Sequence, residues 1–201
     1  MNIILASQSP RRKKLLDKLN LKFQVLSSSI DEKKINTILK APSKYCIKLA
    51  ELKCSDISNI HKNKLIIGAD TIVYYKNKII EKPKDRLDAF KQLKLLSNKT
   101  HVVYTGVSIQ IKNLNYLYNF YEKTYVTFNK VNDKQINYYI DNFHPYDKSG
   151  SYGIQDWSFT FVKKINGCFN NVVGFPLSKF YKLLTADKLL NDILNKNKIN
   201  E

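Results

Sequence analysis

A mixed α/β fold, a twisted sheet flanked by helices, is predicted by two features of the sequence. Short apolar runs alternate with helix-periodic segments through the first hundred residues, and two long strand-like runs follow between Thr100 and Phe128. Parallel strands need helical crossovers, whereas runs separated by a few residues suit antiparallel pairing. The 201 residues contain no internal repeat and no compositional break, so 1–201 reads as a single domain. A chain of this size buries roughly 70% of its extended surface, enough for a substantial core.

Taken in order, Ile3 to Ala6 is a short buried strand. Ser9 then caps a helix with Pro10 at its first position, Leu15, Leu16 and Leu19 as its apolar stripe, and Asn20 as a left-handed terminator. Phe23 to Leu26 is the next strand. Pro42 to about Ile57 is a helix with Tyr45, Leu49 and Leu52 on its inner face, and Lys53 sits unusually close to that face. Leu65 to Gly68 is a strand that ends at Ala69-Asp70-Thr71, followed by an extended pair, Ile72–Tyr75 and Lys78–Ile80. Asp85 to Leu96 is a helix; Thr100–Lys112 and Tyr116–Phe128 are long strands turned at Asn113–Asn115. Asp133–Ile140 is a helix, Asn142–Gly153 a loop, and Phe159–Ile165 a strand. Gly167–Gly174 is rich in turn residues, Pro176 opens a helix to about Leu184, and the tail from Lys188 is a short helix or a frayed end.

Composition narrows the function classes. Lys plus Arg is 34 against 17 acidic residues, a formal charge of +17, which draws nucleotides, polyphosphates or nucleic acid alike. The lysines are scattered without a stacking motif or a reading head, which argues against a specific nucleic-acid partner. Three cysteines without a CxxC pair give neither a disulfide scaffold nor a zinc knuckle. No apolar stretch approaches a membrane span and no signal segment is visible, so the expected setting is the cytoplasm, away from membranes. Walker, GxGxxG, HExxH and GxSxG patterns are all missing from the sequence, and His61, His101 and His144 have no ligand spacing.

What remains is a constellation suited to phosphate. A helix start offers unpaired N–H groups and a positive dipole, and Ser7 and Ser9 add hydroxyls. Arg11 and Arg12 lie in that first turn, where positive charge opposes the dipole unless an anion answers it. Two of only three arginines in a lysine-rich chain stand here, and the guanidinium fork matches an oxyanion better than an ammonium does. An ordinary capped helix with solvent-facing arginines is the alternative. Asp70 at a strand end and a carboxylate of Asp31-Glu32 after another strand can share Mg²⁺ or Mn²⁺, leaving positions for phosphate and water. Asp70 as a turn-former is the competing reading. Lys53 and Lys82 are candidate point charges on phosphate.

These residues carry a family pattern. The chain resembles the Maf family of nucleoside triphosphate pyrophosphatases, in its dTTP/UTP subgroup. The likeness rests on Leu5-Ala6-Ser7-Gln8-Ser9-Pro10-Arg11-Arg12, Asp31-Glu32, Leu49-Ala50-Glu51-Leu52-Lys53 and Gly68-Ala69-Asp70-Thr71. It continues through Lys82-Pro83, Thr105-Gly106-Val107, Asp147-Lys148-Ser149-Gly150-Ser151-Tyr152-Gly153-Ile154-Gln155 and Asn171-Val172-Val173-Gly174-Phe175-Pro176-Leu177. The resemblance implies two lobes around a central cleft, the Maf and inosine-triphosphatase-like architecture, in a homodimer. It implies hydrolysis of dTTP and UTP between the α and β phosphates, giving the monophosphate and pyrophosphate, with Mg²⁺ or Mn²⁺. Ser7, Arg11 and Arg12 match the phosphate grip, and Thr71 belongs to the same substrate-binding set. Glu32 and Asp70 match the metal-holding and water-activating acids, Lys53 and Lys82 the lysines on the phosphate chain, and Gln155 the pyrimidine reader.

Arg11, Thr71 and the Asp147–Gln155 stretch separate this pattern from the related 7-methyl-GTP group. Asp156 in place of a usual glycine, and Phe143-His144 in place of Gly-Glu, bear on the base-reading loop. A broader activity on modified nucleotides, a basic nucleic-acid-binding protein and a division-inhibiting interaction protein are the other readings. A salt-dependent filter-binding titration discriminates the second of these from an enzyme.

Overall fold

The computed structural model of the chain describes residues 1–32 and 41–199. Two very short strands open the sheet: β1 (Ile3–Leu5) and β2 (Phe23–Val25). β3 (Leu65–Tyr75), the three-residue β4 (Lys78–Ile80), β5 (Thr100–Ile111), β6 (Tyr116–Phe128) and β7 (Val162–Asn166) follow. Among the described residues these seven form one sheet in the order β2-β1-β3-β5-β6-β7, with β4 on β3. β1 pairs in parallel with β2 and with β3, Ile3 opposite Leu65 and Leu5 opposite Ile67. β4 turns back antiparallel on β3, and β7 runs antiparallel to β6. β5 and β6 are joined by a single tight turn at Lys112–Leu114, closed by left-handed Asn115 (φ 48°), a connection too short for anything but an antiparallel pair. The sheet is therefore mixed, as the sequence pattern predicts.

Among the described residues, side chains satisfy open N–H groups at the starts of four helices, while the two that follow Ala41 and Pro176 have no side-chain cap. Ser9 Oγ accepts the Arg12 N–H at the start of α1 (Pro10–Asp17), with Pro10 in the first turn. α2 (Pro42–Ile60) carries buried Tyr45, Leu49 and Ala50 together with Lys53. Asp85 caps α3 (Arg86–Leu96), and an Asn132–Gln135 capping box starts α4 (Asp133–Phe143). α5 (Phe169–Val173) is a single turn and a half, α6 is Leu177–Ala186, and Asp187 caps α7 (Lys188–Lys196). The tail is thus a capped helix, and residues 200–201 of it lie outside the described set.

Three boundaries differ from the sequence reading. β3 is one continuous strand of 11 residues, so Asp70 lies inside it and not at its carboxyl end. The polar pair Asp70-Thr71 breaks the apolar run, but β3 stays one strand within the sheet, bonded to β5 as well as to β1 at residues 65–67 and β4 at residues 73–75. β7 starts at Val162 rather than Phe159, since Asp156 accepts the Ser158 N–H and winds residues 157–161 into a 3-10 turn. The loop expected over Asn142–Gly153 contains the end of α4 and two further 3-10 turns, at Pro145–Asp147 and Ser149–Ser151.

The chain divides into two compact units, residues 1–70, 105–122 and 174–201 in the first and 71–104 and 123–173 in the second. In the first, Ile4, Ala6, Cys54, Ile57 and Ile66 form a buried cluster joining the sheet to α2. Two glycines let α2 lie against the strands. A Cβ at Gly68 would sit 2.4 Å from the Ala50 carbonyl oxygen, and one at Gly106 would sit 2.4 Å from the Cys46 carbonyl. In the second, Phe128 meets His101, Tyr152 and Phe161 edge-on, and Tyr139 is fully buried beside Phe161.

Candidate active site

In the first unit the site grows from the end of β1. The parallel register continues one residue past the strand, with Ala6 N–H donating to Ile67 O at 2.8 Å, so the following corner is held beside the Gly68–Asp70 stretch. Ser7, buried, turns its Oγ inward, where it accepts from the Ser9 N–H (3.3 Å) and from Arg12 Nη1 (3.0 Å). Arg12 Nε donates to the Gly174 carbonyl at 2.9 Å. The Arg12 fork thus spans 162 residues of sequence and ties the helix start to the turn before α6. Burial lowers the Arg12 pKa, and nearby Arg11 pushes the same way, while the fields of Asp70 and Glu32 hold the charge in place. Solvent-facing side chains, the ordinary alternative for this pair, do not describe Arg12, and Arg11 is half-buried beside it.

The acidic half of the site is organised by one lysine. Lys53, on the inner face of α2, is 9% exposed, and its Nζ lies 2.6 Å from Asp70 Oδ1 and 2.8 Å from Glu32 Oε1. Asp70 is buried in β3, whereas Glu32 is half-exposed at the end of the polar segment after β2. A buried carboxylate is stable only with a partner, which explains an inward lysine where others face solvent. Asp70 also acts on its surroundings: burial first, and then its charge, hold the Cys46 thiol protonated, and burial pushes Cys54 up to about 12. Neither thiol is a nucleophile at neutral pH.

The shared ammonium also tests the fit of a divalent metal. The two oxygens lie 2.6 and 2.8 Å from the same nitrogen, so Glu32 and Asp70 present their carboxylates to one small space. Among the described residues no group of three or more His, Cys, Asp or Glu side chains converges, so the protein offers two carboxylates and no closed cage. That donor set suits Mg²⁺ or Mn²⁺, which take few protein carboxylates and complete their shell with phosphate oxygens and water. The residues present fit the group.

The remaining sequence candidates belong to the second unit. Thr71 opens it, and its carbonyl accepts from Ser149 Oγ at 3.2 Å. Lys82 is exposed in the segment after β4, ahead of buried Pro83. Gln155 is exposed in the turn between Gly153 and the 157–161 segment. The structure therefore gathers Ser7, Arg12, Glu32, Lys53 and Asp70 in one unit, and holds Lys82 and Gln155 in the other.

Of the unusual residues near Gln155, Asp156 and Phe143 are half-buried and His144 is exposed. Asp156 Oδ2 accepts the Tyr139 hydroxyl at 3.1 Å, and Phe143 stacks on Tyr139 at 5.5 Å. His144 is the left-handed terminator of α4 (φ 43°). Sequence reasoning missed Gly174 as the anchor of Arg12 and Tyr139 as the anchor of the Gln155 turn. Both lie far along the chain from what they hold, and only the motif around Gly174 marked its neighbourhood.

Against known proteins, the family model described as Maf-like protein matches residues 2–187. The chain is 46% identical over 190 residues to a dTTP/UTP pyrophosphatase of Thermosipho melanesiensis, covering 94% of this chain and 100% of that one. It is 48% identical over 179 residues to a dTTP/UTP pyrophosphatase of Alkaliphilus oremlandii, covering 88% and 91%. Among solved structures, a HAM1 protein from Coxiella burnetii aligns with 93% of this chain and 100% of its own at 12% identity and a TM-score of 0.48.

Proposed function

The chain belongs to the Maf-like protein family, and we propose that it hydrolyses dTTP and UTP to the monophosphate and pyrophosphate, a reading supported by relatives named dTTP/UTP pyrophosphatase. The observation that carries the reading is the pair Glu32 and Asp70 on one cation, Lys53, in the same unit as the Arg12-bearing start of α1. Ser7, Arg11, Arg12 and the α1 N–H groups bind phosphate oxygens, and Thr71 lines the substrate beside Asp70. Asp70 orients the attacking water. Lys53 and Lys82 offset charge on the phosphate chain as the bond to the leaving pyrophosphate breaks. Positioning and charge neutralisation suffice for such a transfer, with no covalent nucleophile. Glu32 and Asp70 would hold Mg²⁺ or Mn²⁺, which would supply charge neutralisation at the phosphates and a more acidic water. Gln155, with both a donor and an acceptor, reads the uracil or thymine edge.

The wider reading is of one functional domain over 1–201, acting as a homodimer in the cytoplasm on a nucleotide, with no specific nucleic-acid partner. The single-domain part of that reading is supported by the chain's repeated passage between its two units. Among the described residues no helix is long and apolar enough to cross a membrane.

A nucleotide panel scored for pyrophosphate, with and without Mg²⁺ or Mn²⁺, tests the reaction. Turnover of dTTP and UTP that needs the metal is expected, and Asp70→Asn is expected to lower it by about 10²–10⁴-fold. Release of orthophosphate in place of pyrophosphate, or a near wild-type rate in Asp70→Asn, sinks the assignment.

A further inference from the structure

The turn that carries Gln155 is closed by groups no motif singles out. The Gly153 N–H donates to Tyr139 Oη at 3.1 Å, and that hydroxyl donates in turn to Asp156 Oδ2 at 3.1 Å. One phenol thereby bridges the two residues that bracket Ile154 and Gln155. The backbone closes the same loop, with Asp156 N–H donating to Gly153 O at 2.9 Å and Ser158 Oγ to the same carbonyl at 2.7 Å. Asp156 Oδ1 also accepts the Ser158 N–H at 3.2 Å. Tyr139 cannot follow the turn if it moves. It is fully buried, stacked on Phe143 at 5.5 Å and near-parallel to Trp157 at 6.5 Å. Nor can Gly153 take a side chain, since a Cβ there would lie 2.7 Å from Asp156 Oδ2 and 2.8 Å from Lys148 Cε. Ile154 is buried and Gln155 exposed, so the clip fixes which of the two faces outward.

We propose that Tyr139 and Asp156 are positioning residues for nucleobase selection, holding the Gly153–Asp156 turn so that Gln155 meets the base; this rests on the base-reading role of Gln155 given above. A side chain held in one orientation loses less freedom on binding, so the clip acts on affinity and base preference and not on the bond-breaking step.

Steady-state kinetics on dTTP, UTP, CTP and GTP test this with Tyr139→Phe, Asp156→Ala, Asp156→Asn, Gln155→Ala and the double variant Tyr139→Phe/Gln155→Ala. Tyr139→Phe and Asp156→Ala are each expected to raise KM for dTTP and UTP up to about tenfold while kcat stays within about twofold. Both are expected to erode the preference for dTTP over CTP in the direction Gln155→Ala does. Asp156→Asn keeps an acceptor for the Tyr139 hydroxyl and is expected to stay within about threefold of wild type. In the Gln155→Ala background, Tyr139→Phe is expected to change nothing further, because a residue acting through another adds no loss once that other is gone. Additive losses in the double variant, a fall in kcat at constant KM, or unchanged base preference in Tyr139→Phe beside a changed one in Gln155→Ala each overturn the clip alone. Unchanged preference in Gln155→Ala overturns the base-reading role and the clip with it. If Tyr139→Phe does not fold, Asp156→Ala alone and in the Gln155→Ala background carries the same comparison.

Discussion

Arg12 shows how a single side chain can be read correctly in type and incompletely in role. Its place in the first turn of α1, against the helix dipole, marked it as answering an anion. The structure adds that the guanidinium already has two fixed partners, Ser7 Oγ and the Gly174 carbonyl, which direct its remaining N–H groups. A lysine keeps the charge but cannot span both acceptors. Arg12→Lys is therefore expected to raise KM for dTTP by about tenfold, the loss typical of a charge-assisted hydrogen bond, with a smaller change in kcat. Initial rates across a substrate range check this, and an unchanged KM removes the fork from substrate binding. Lys53 was legible for the opposite reason: an ammonium on the apolar face of α2 is costly unless carboxylates wait there, and Asp70 and Glu32 do.

At the level of elements, the placement of Lys53 depends on how closely α2 approaches the sheet. Gly106 on β5 permits that approach, since any Cβ there would run into the Cys46 carbonyl group. Backbone cannot retreat as a flexible side chain can, so the helix itself must shift. Gly106→Ala is expected to destabilise the fold by roughly 1–3 kcal/mol, the usual range for overpacking, and to lower kcat because α2 carries Lys53 away from Asp70. A thermal melt and a rate measurement on the same sample check both parts; full activity with a lowered Tm separates the packing role from the site. β3 teaches the converse lesson. Its two apolar halves were legible, but not its continuity through Asp70, because that continuity belongs to the sheet, in which β3 pairs with β1, β4 and β5, and not to the local pattern.

For the molecule as a whole, a buried histidine sets a limit on acid stability. His101 is 1% exposed, meets Tyr152 Oη at 2.7 Å, and burial pushes its pKa down to about 3. The unfolded chain takes up a proton near the ordinary value of about 6.5, and the folded chain refuses it. Below that value the unfolded state binds more protons, so stability falls as pH falls, across the window from about 6.5 to about 3. Between pH 7 and pH 5 the His101 contribution is expected to cost roughly 2 kcal/mol. Urea unfolding at the two pH values measures it. His101→Phe, which cannot titrate, is expected to lose less on acidification than the wild type; an equal loss in both assigns the acid sensitivity elsewhere.

The amino-acid sequence by itself determined the elements whose signals are local: the Ser9-capped helix start, the amphipathic face of α2, the tight turn between β5 and β6, and the residue types that phosphate and a hard cation require. Those signals act over a few residues, through backbone sterics, capping and periodicity, and so can be read along a line. Tertiary structure alone decided that Glu32 and Asp70 share one ammonium, that Gly174 steadies Arg12, and that Tyr139 closes the turn bearing Gln155. Each of these joins groups distant in sequence. A hydrogen bond or an ion pair leaves no periodic mark on the chain, because its strength depends on separation in space and not on separation along the backbone.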